Sequence, residues 1–455
     1  MVNHPESLVE TGWLADHLLD PGLRVVDARW RGDDSGYQLY QAGHIPGAIH
    51  LDWHLNLNHT LAGVRDLILP AERFAAVMSA AGIGDETQVV AYAETDYSGA
   101  ARLWWALRYY GHDQVAVLNG GLTKWIAEGR ELTRQIPEIS PAHFTPQPRP
   151  ALFATATEIQ AILSDPATQA SLVDSRPREQ YVGSAVWTPH GSLYLPPEEE
   201  WVDAGGRRLR GGRIPGAVSL PSSENLDPQD WTFLSPDDLR ARALANGVQP
   251  EHRVITYCGV GISASLGLFA LHLAGYPDLA LYDASWEEWG HDPDLPIESS
   301  TPVTRELDKL GIPYRVFRHP GEVRSLEQAA RERDQRPEQV VRSIVFRLAQ
   351  DEFVMVLIAG PAQVSWPALR AYLGQSRLTT ATEPEVLAAT GYNVGAVSPF
   401  GLPAPMRVLV DKSVLQEEII SIGSGERNIT VILKTEDLLK VLQGAEAGEF
   451  GVKGG

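Results

Sequence analysis

Short apolar runs and longer amphipathic runs alternate along the first 300 residues. LRVVDA (23–28), QVVAYA (88–93), SLVD (171–174) and RVITYC (253–258) are brief and rich in β-branched positions. Such runs read as buried strands of a parallel sheet. AERFAAVMSAAG (71–82) and PDDLRARALANG (236–247) place apolar residues at helical spacing and close on glycine, the signature of a helix and its C-terminal stop. Strand alternating with helix predicts α/β domains with central sheets. In such folds ligands bind beyond the C-terminal ends of the strands.

The pattern occurs twice. VDAR (26–29) and GHIPGA (43–48) return as VDSR (173–176) and GGRIPGA (211–217). Each copy closes on an aromatic segment, VAVLNGGLTKW (115–125) and LALYDASWEEW (279–289). A Pro-rich stretch at 135–157 suits a tie between the copies. The expected domains are 1–140 and 158–298.

From 301 the pattern changes. QVVRSIVFR and EFVMVLIAG are consecutive strand-like runs, which predicts an antiparallel or mixed sheet. ATEPEVLAATGYNVGAVSPFGLP reads as a helix, a glycine stop and a Gly/Pro-rich loop. A third, α+β domain is expected over 301–448, with GAEAGEFGVKGG as a frayed tail.

Charge divides at the same point. Residues 1–300 hold 20 Lys and Arg against 39 Asp and Glu, a net of −19; residues 301–455 hold 18 against 19, a net of −1. The acidic part repels nucleic acid and anionic membranes at long range. The remainder does not, though its charge advertises no nucleic-acid binding. No apolar run has membrane-spanning length, and the first residues lack a basic stretch followed by an apolar core. A cytoplasmic protein without membrane partners is expected.

The chain has one cysteine, Cys258. It excludes internal disulfides, Cys-x-x-Cys redox pairs and thiolate-only zinc sites, and no metal or cofactor is expected. Cys258 ends a strand-like run and precedes Gly259, Val260, Gly261, Ile262 and Ser263, where a helix-like run begins. Glycines there let backbone N–H groups form an anion cradle, and a helix N-terminus favours a thiolate. Ser263 is placed to cap the helix or donate to the cradle. In the first copy Ala93 stands where Cys258 stands in the second, followed by ETDYSGAA. One copy has the thiol and the small-residue loop; the other lacks both. The second is therefore expected to carry the chemistry. Arg176, Arg178, Arg210 and Arg213 are candidate anion binders, and Asp27 and Asp174 are read as partners of the arginine two residues on. A phosphatase loop would need an arginine where Ala264 stands, and without it the phosphoryl charge loses its bidentate clamp. No sequence arrangement assigns a histidine base to Cys258, which disfavours a thiol protease.

The VDAR/GHIPGA and VDSR/GGRIPGA pairs, with the six-residue loop GVGISA, resemble the tandem rhodanese domains of thiosulfate and 3-mercaptopyruvate sulfurtransferases. The resemblance implies two three-layer α/β domains with parallel sheets, the first without the thiol. It also implies that Cys258 carries sulfane sulfur as a persulfide, from a small donor to cyanide or a thiol. Departures bear on the donor. Val260 stands where mercaptopyruvate enzymes have a serine of a proposed Ser-His-Asp relay, although His44 remains. Gln180 replaces an arginine of those enzymes, Gly259 replaces the basic residue of many thiosulfate-type loops, and Arg213 replaces a histidine. Thiosulfate or a similar donor is expected ahead of 3-mercaptopyruvate.

Residues 301–455 resemble the YbaK/ProX family of aminoacyl-tRNA editing domains, through TPVT, GIPY, VVRS, LIAG, ATGYNVGAVSP and IGSGERN in that order. The resemblance implies a mixed-sheet α+β module that takes an aminoacyl-tRNA as partner and hydrolyses it in trans. Arg342 matches a functional lysine of that family, and Gly395, Ser398 and Pro399 match its Gly-x-x-Ser/Thr-Pro loop. Arginine is a planar fork where lysine is a compact charge.

Overall fold

A computed structural model describes residues 6–452, apart from 34, 166, 184, 190, 194–201, 203–205, 208, 299–300, 320–322, 350–351 and 443–444. The chain divides into two compact units, Met1–Ser299 and Ser300–Gly455.

The first unit contains two parallel five-stranded sheets of one topology. In the first copy the strands run Leu8–Val9, Val115–Leu118, Gln88–Tyr92, Leu23–Asp27 and Ile49–His50 across the sheet. In the second they run Phe153–Ala154, Leu279–Tyr282, Arg253–Tyr257, Ala170–Asp174 and Val218–Ser219. The register also repeats: Asp27 pairs with Tyr92, and Asp174 with Tyr257. β-Branched strands become buried on both faces because helices cover them. Helices Ser98–Tyr109 and Ile262–Leu273, equivalent in the two copies, pack against each other. Trp104 against Phe269, ring centroids 4.8 Å apart, joins the copies in a continuous core.

The second unit has a mixed five-stranded sheet ordered Thr379–Thr380, Val341–Ala349, Glu352–Ala359, Arg407–Asp411 and Glu446–Gly448. The first three strands pair antiparallel and the last two join in parallel. A three-stranded antiparallel sheet, Arg315–Arg318, Ile429–Lys434 and Ile419–Gly423, lies beside it.

The expected frayed tail is ordered from Ala445 to Val452. Glu446–Gly448 extends the five-stranded sheet, and Gly451–Val452 pairs with Gln363–Val364. Phe450 is buried, and Asp411 Oδ2 accepts the N–H groups of Phe450 and Gly451 at 2.6 and 2.8 Å. One apolar anchor and one buried carboxylate outweigh the glycine-rich composition that suggested fraying. Among the described residues no helix is long and apolar enough to cross a membrane.

Candidate functional site

Strand Arg253–Tyr257 delivers Cys258 to the C-terminal end of the second sheet. Gly261, at φ +77°, turns the chain into helix Ile262–Leu273. A side chain there would lie 2.7 Å from the Asp283 carbonyl and 3.1 Å from Arg102 Nη1, so glycine is required both by conformation and by space. The loop is held from behind by the Ser285–Trp289 helix. Trp286 N–H donates to the Cys258 carbonyl at 3.0 Å, and Glu287 N–H to that of Gly259 at 2.8 Å. With these carbonyls tied down, Cys258 stands three residues before the N-cap of helix Ile262–Leu273, whose first amides lack intrahelical acceptors. Cys258 is 1% exposed. Ser263 does not cap this helix: Gly261 is the N-cap and has no side chain to give. Ser263 instead belongs to the first turn.

Ser285 was not singled out from the sequence. Its hydroxyl accepts the Cys258 N–H at 3.0 Å and donates to the Tyr282 carbonyl at 2.7 Å. It holds φ +51°, costly for a residue with a Cβ, and its counterpart in the first copy is Gly121 at φ +52°. Strain retained where glycine would serve marks a residue kept for its side chain. The signal available in the sequence was the Ser/Gly mismatch between LYDASW and VLNGGL. Ser285→Gly should leave stability within about 1 kcal/mol, strain relief offsetting the lost hydrogen bond. It should slow alkylation of the Cys258 thiol several-fold. Thermal unfolding alongside a timed alkylation assay checks both.

The first copy braces the loop. Arg102, on the Ser98–Tyr109 helix, is 1% exposed and pairs with buried Asp283 at 2.5 Å. Asp283 Oδ2 also accepts the Ile68 N–H at 2.8 Å. Glu287, buried, is gripped by Arg65 through two bonds of 2.8 and 3.0 Å, and by Arg207 at 3.3 Å. The two acids flank the segment that holds the carbonyls of Cys258 and Gly259. None of these long-range pairs leaves a local trace in sequence.

The expected arginines separate. Arg176 is 1% exposed and chelates Asp174, with Nε 2.9 Å from Oδ1 and Nη2 2.6 Å from Oδ2. Nη2 also donates to the Gly212 carbonyl at 2.6 Å, and the guanidinium lies 4.1 Å over Trp286. Burial alone would lower its pKa, but Asp174, Tyr257 and the Cys258 sulfur hold it above the usual arginine value. Asp27 and Arg29 form the same pair in the first copy. Arg178 is exposed. Arg210 is spent on main-chain carbonyls, those of Trp289, Gly290, Asp292 and Leu295. Arg213 pairs with Glu298 and stacks 4.4 Å over Tyr181. Arg210 and Arg213, expected as anion binders, thus have structural engagements. His44 faces the carbonyls of Tyr40 and Gln135, at 2.8 and 3.2 Å. Gln180 is buried, its Nε2 2.9 Å from Ser192 Oγ. The indole of Trp187 lies over Gly259, where a Cβ would be 1.9 Å from Nε1.

The second unit holds a cavity of about 490 Å³ between strand Ile419–Gly423, the start of Val341–Ala349 and the turn at 394–397. Arg324, Arg333, Arg342, Arg427 and His319 line it, and its described lining includes no carboxylate. Burial lowers the Arg333 pKa to about 10; its guanidinium reaches Thr430 Oγ1 at 3.0 Å, Ser421 Oγ at 3.1 Å and His319 Nε2 at 2.9 Å. Arg342 donates from Nη2 to the Ala362 carbonyl, and burial lowers its pKa also. Arg342 and Gly395 (φ +92°) come together here, while Ser398 and Pro399 are buried and do not line the cavity. Arg333 was missed because it lies in a charge-rich helical stretch, RERD, that reads as solvated surface.

A lone thiol on a glycine loop, at the strand ends of one of two matching α/β folds, defines a sulfur-handling protein. The model of the rhodanese-like domain matches residues 10–128 and 155–292, and that of the aminoacyl-tRNA editing domain matches 320–441. The chain belongs to the rhodanese family of sulfurtransferases and carries a C-terminal domain of the tRNA-editing type. It is 35% identical over 297 residues to the sulfur carrier protein TtuD of Thermus thermophilus, 65% of this chain and 97% of that protein. A putative thiosulfate sulfurtransferase of Mycobacterium tuberculosis is also 35% identical, over 65% of this chain and 91% of its own length. The crystal structure of the 3-mercaptopyruvate sulfotransferase of Escherichia coli matches with a TM-score of 0.53 at 28% identity. That match covers 61% of this chain and 98% of the other. Family membership makes the protein an enzyme that moves sulfane sulfur through a cysteine intermediate.

Proposed function

We propose that Cys258 is the sulfur carrier and that thiosulfate, or a similar small sulfane donor, loads it. The Cys258 thiolate attacks the outer sulfur of thiosulfate; the S–S bond to sulfite breaks, and sulfite leaves with the bonding electron pair. A nucleophilic acceptor, cyanide or a thiol, then attacks the outer sulfur of the persulfide and returns Cys258 as thiolate. Gly259–Ser263 form the cradle for the anionic sulfur. The carrying observation is the position of the chain's one thiol, fixed by two carbonyl tethers at the start of helix Ile262–Leu273. Gln180, tied to Ser192, supplies no positive charge for a mercaptopyruvate carboxylate, which supports thiosulfate over that donor. Steady-state thiocyanate production with each donor tests this. A higher kcat/KM with thiosulfate is expected, and the reverse order would overturn the donor assignment.

A second reading rests on the arginine-lined cavity of the second unit. It suits the phosphate-bearing acceptor end of an aminoacyl-tRNA, because an anion would relieve buried cations whose pKa is depressed. On this reading the domain hydrolyses the aminoacyl ester. Deacylation of a mischarged-tRNA panel should fall at least about tenfold in Arg342→Ala and persist in Arg342→Lys. Equal rates in all three proteins would contradict it.

A further inference from the structure

The two copies can be compared atom by atom around one guanidinium. In the first copy Arg29 chelates Asp27, donates from Nη2 to the Gly43 carbonyl at 2.8 Å, and donates from Nη1 to Glu94 Oε1 at 3.1 Å. In the second copy Arg176 chelates Asp174 and donates from Nη2 to the Gly212 carbonyl at 2.6 Å. The surroundings repeat as well. The Ile45 N–H donates to Tyr92 Oη at 3.2 Å, and the Ile214 N–H to Tyr257 Oη at 3.1 Å. The Leu122 N–H donates to the Ala93 carbonyl, and the Trp286 N–H to the Cys258 carbonyl.

The contact at Nη1 does not repeat. Among the described residues Arg176 Nη1 is buried without a hydrogen-bond partner. Glu94, whose carboxylate satisfies the same nitrogen in the first copy, follows Ala93; its counterpart after Cys258 is Gly259. Glu94 Oε2 is also gripped by Arg31 Nη2 at 2.5 Å, and the position of Arg31 is taken by Arg178 in the second copy. Burial alone would raise the Glu94 pKa, but Arg31 and Arg29 hold it below the ordinary carboxylate value. The first copy therefore carries its own anion in a seat built of arginine. A buried guanidinium nitrogen left unpaired is costly unless something charged meets it.

We propose that Arg176 Nη1 is the anion seat of the thiol site, holding the negative charge of a small anionic sulfur donor beside Cys258, and that Glu94 fills the matching seat in the first copy. This rests on the sulfur-transfer reading and adds the group that recognises the donor. The seat selects an oxyanion or carboxylate of Glu94's size, and a neutral sulfane donor gains nothing from it. It also assigns Glu94 a role, as the internal ligand that keeps the first copy closed to such anions.

Cys258 is the chain's one thiol, so alkylation reports this site alone. Iodoacetate and iodoacetamide differ by one charge at nearly one size. Measured on the whole chain, the iodoacetate-to-iodoacetamide rate ratio should exceed that of free cysteine at least about tenfold. Arg176→Lys, which loses the forked geometry, should lower the ratio, and Arg29→Lys should not. Because Arg176 is buried with Asp174, a second design avoids cutting that pair. Trp187→Ala with Gly259→Glu removes the indole that fills the space beside Gly259 and transplants the carboxylate of the first copy. It should erase the preference for iodoacetate, whereas Trp187→Ala alone should retain it. A ratio equal to that of free cysteine, or the same ratio in Trp187→Ala with and without Gly259→Glu, overturns the proposal. Sulfur loading from thiosulfate, followed by intact mass on the same unmodified protein, stands or falls separately. Loading without a charge preference rejects the seat and keeps the carrier; no loading rejects the carrier.

Discussion

Cys258→Ser should leave a folded chain that transfers no sulfur. Turnover with thiosulfate and cyanide should fall at least about a thousandfold. The reason is chemical. A hydroxyl at this site has a far higher pKa than a thiol, and oxygen cannot form the persulfide link. The fold has little reason to respond, because the replacement is nearly isosteric and its backbone keeps its bonds to Trp286 and Ser285. The first copy offers no substitute nucleophile, since Ala93 stands at its strand end. Unchanged thermal unfolding with lost thiocyanate production is the expected pair of results. Residual turnover near the starting level would place the carrier elsewhere.

The largest stability effect is expected at the brace between the copies. Arg102→Met leaves Asp283 buried and uncompensated beneath the active loop, and should cost about 3–5 kcal/mol of the first unit's stability. Removing both charges, Arg102→Met with Asp283→Leu, should recover much of that cost, because a well-packed apolar pair does not suffer desolvation. It should not recover activity. Asp283 also receives the Ile68 N–H, and Gly261 packs directly on Asp283 and Arg102, so the loop loses its seat. Denaturant unfolding of the single and double variants, with turnover alongside, separates stability from positioning. Additive costs in the two single variants would show that the pair is not coupled.

This brace explains what the first copy does. It lacks the thiol, yet Arg102 and Arg65 reach the two acids that flank the carbonyl tethers. On the proposed reading the second copy carries the chemistry and the first supports it.

The repeat was legible because buried parallel strands need continuous apolar runs and helices need their own period. The Asp–Arg pairs were legible because their partners sit two residues apart. Cys258 stood out because the two copies could be compared position by position. The rest depends on distance in space. Arg102 meets Asp283, Arg65 meets Glu287 and Trp187 covers Gly259 only after the chain has folded. The role of Ser285 shows in its φ and its bond to Cys258, both set by the folded chain. Arg210 and Arg213 show the converse: arginines near a motif look like ligand binders in sequence, but main-chain carbonyls and Glu298 engage them. In the second unit, Ser398 lies in a matching motif yet is buried outside the lining of the cavity that Arg342 and Gly395 share.

The mass of the intact chain after brief exposure to thiosulfate decides whether Cys258 carries sulfur. A one-sulfur adduct is expected, lost on addition of cyanide with release of thiocyanate, and absent in Cys258→Ser. An unchanged mass, or an adduct that survives in Cys258→Ser, would contradict it.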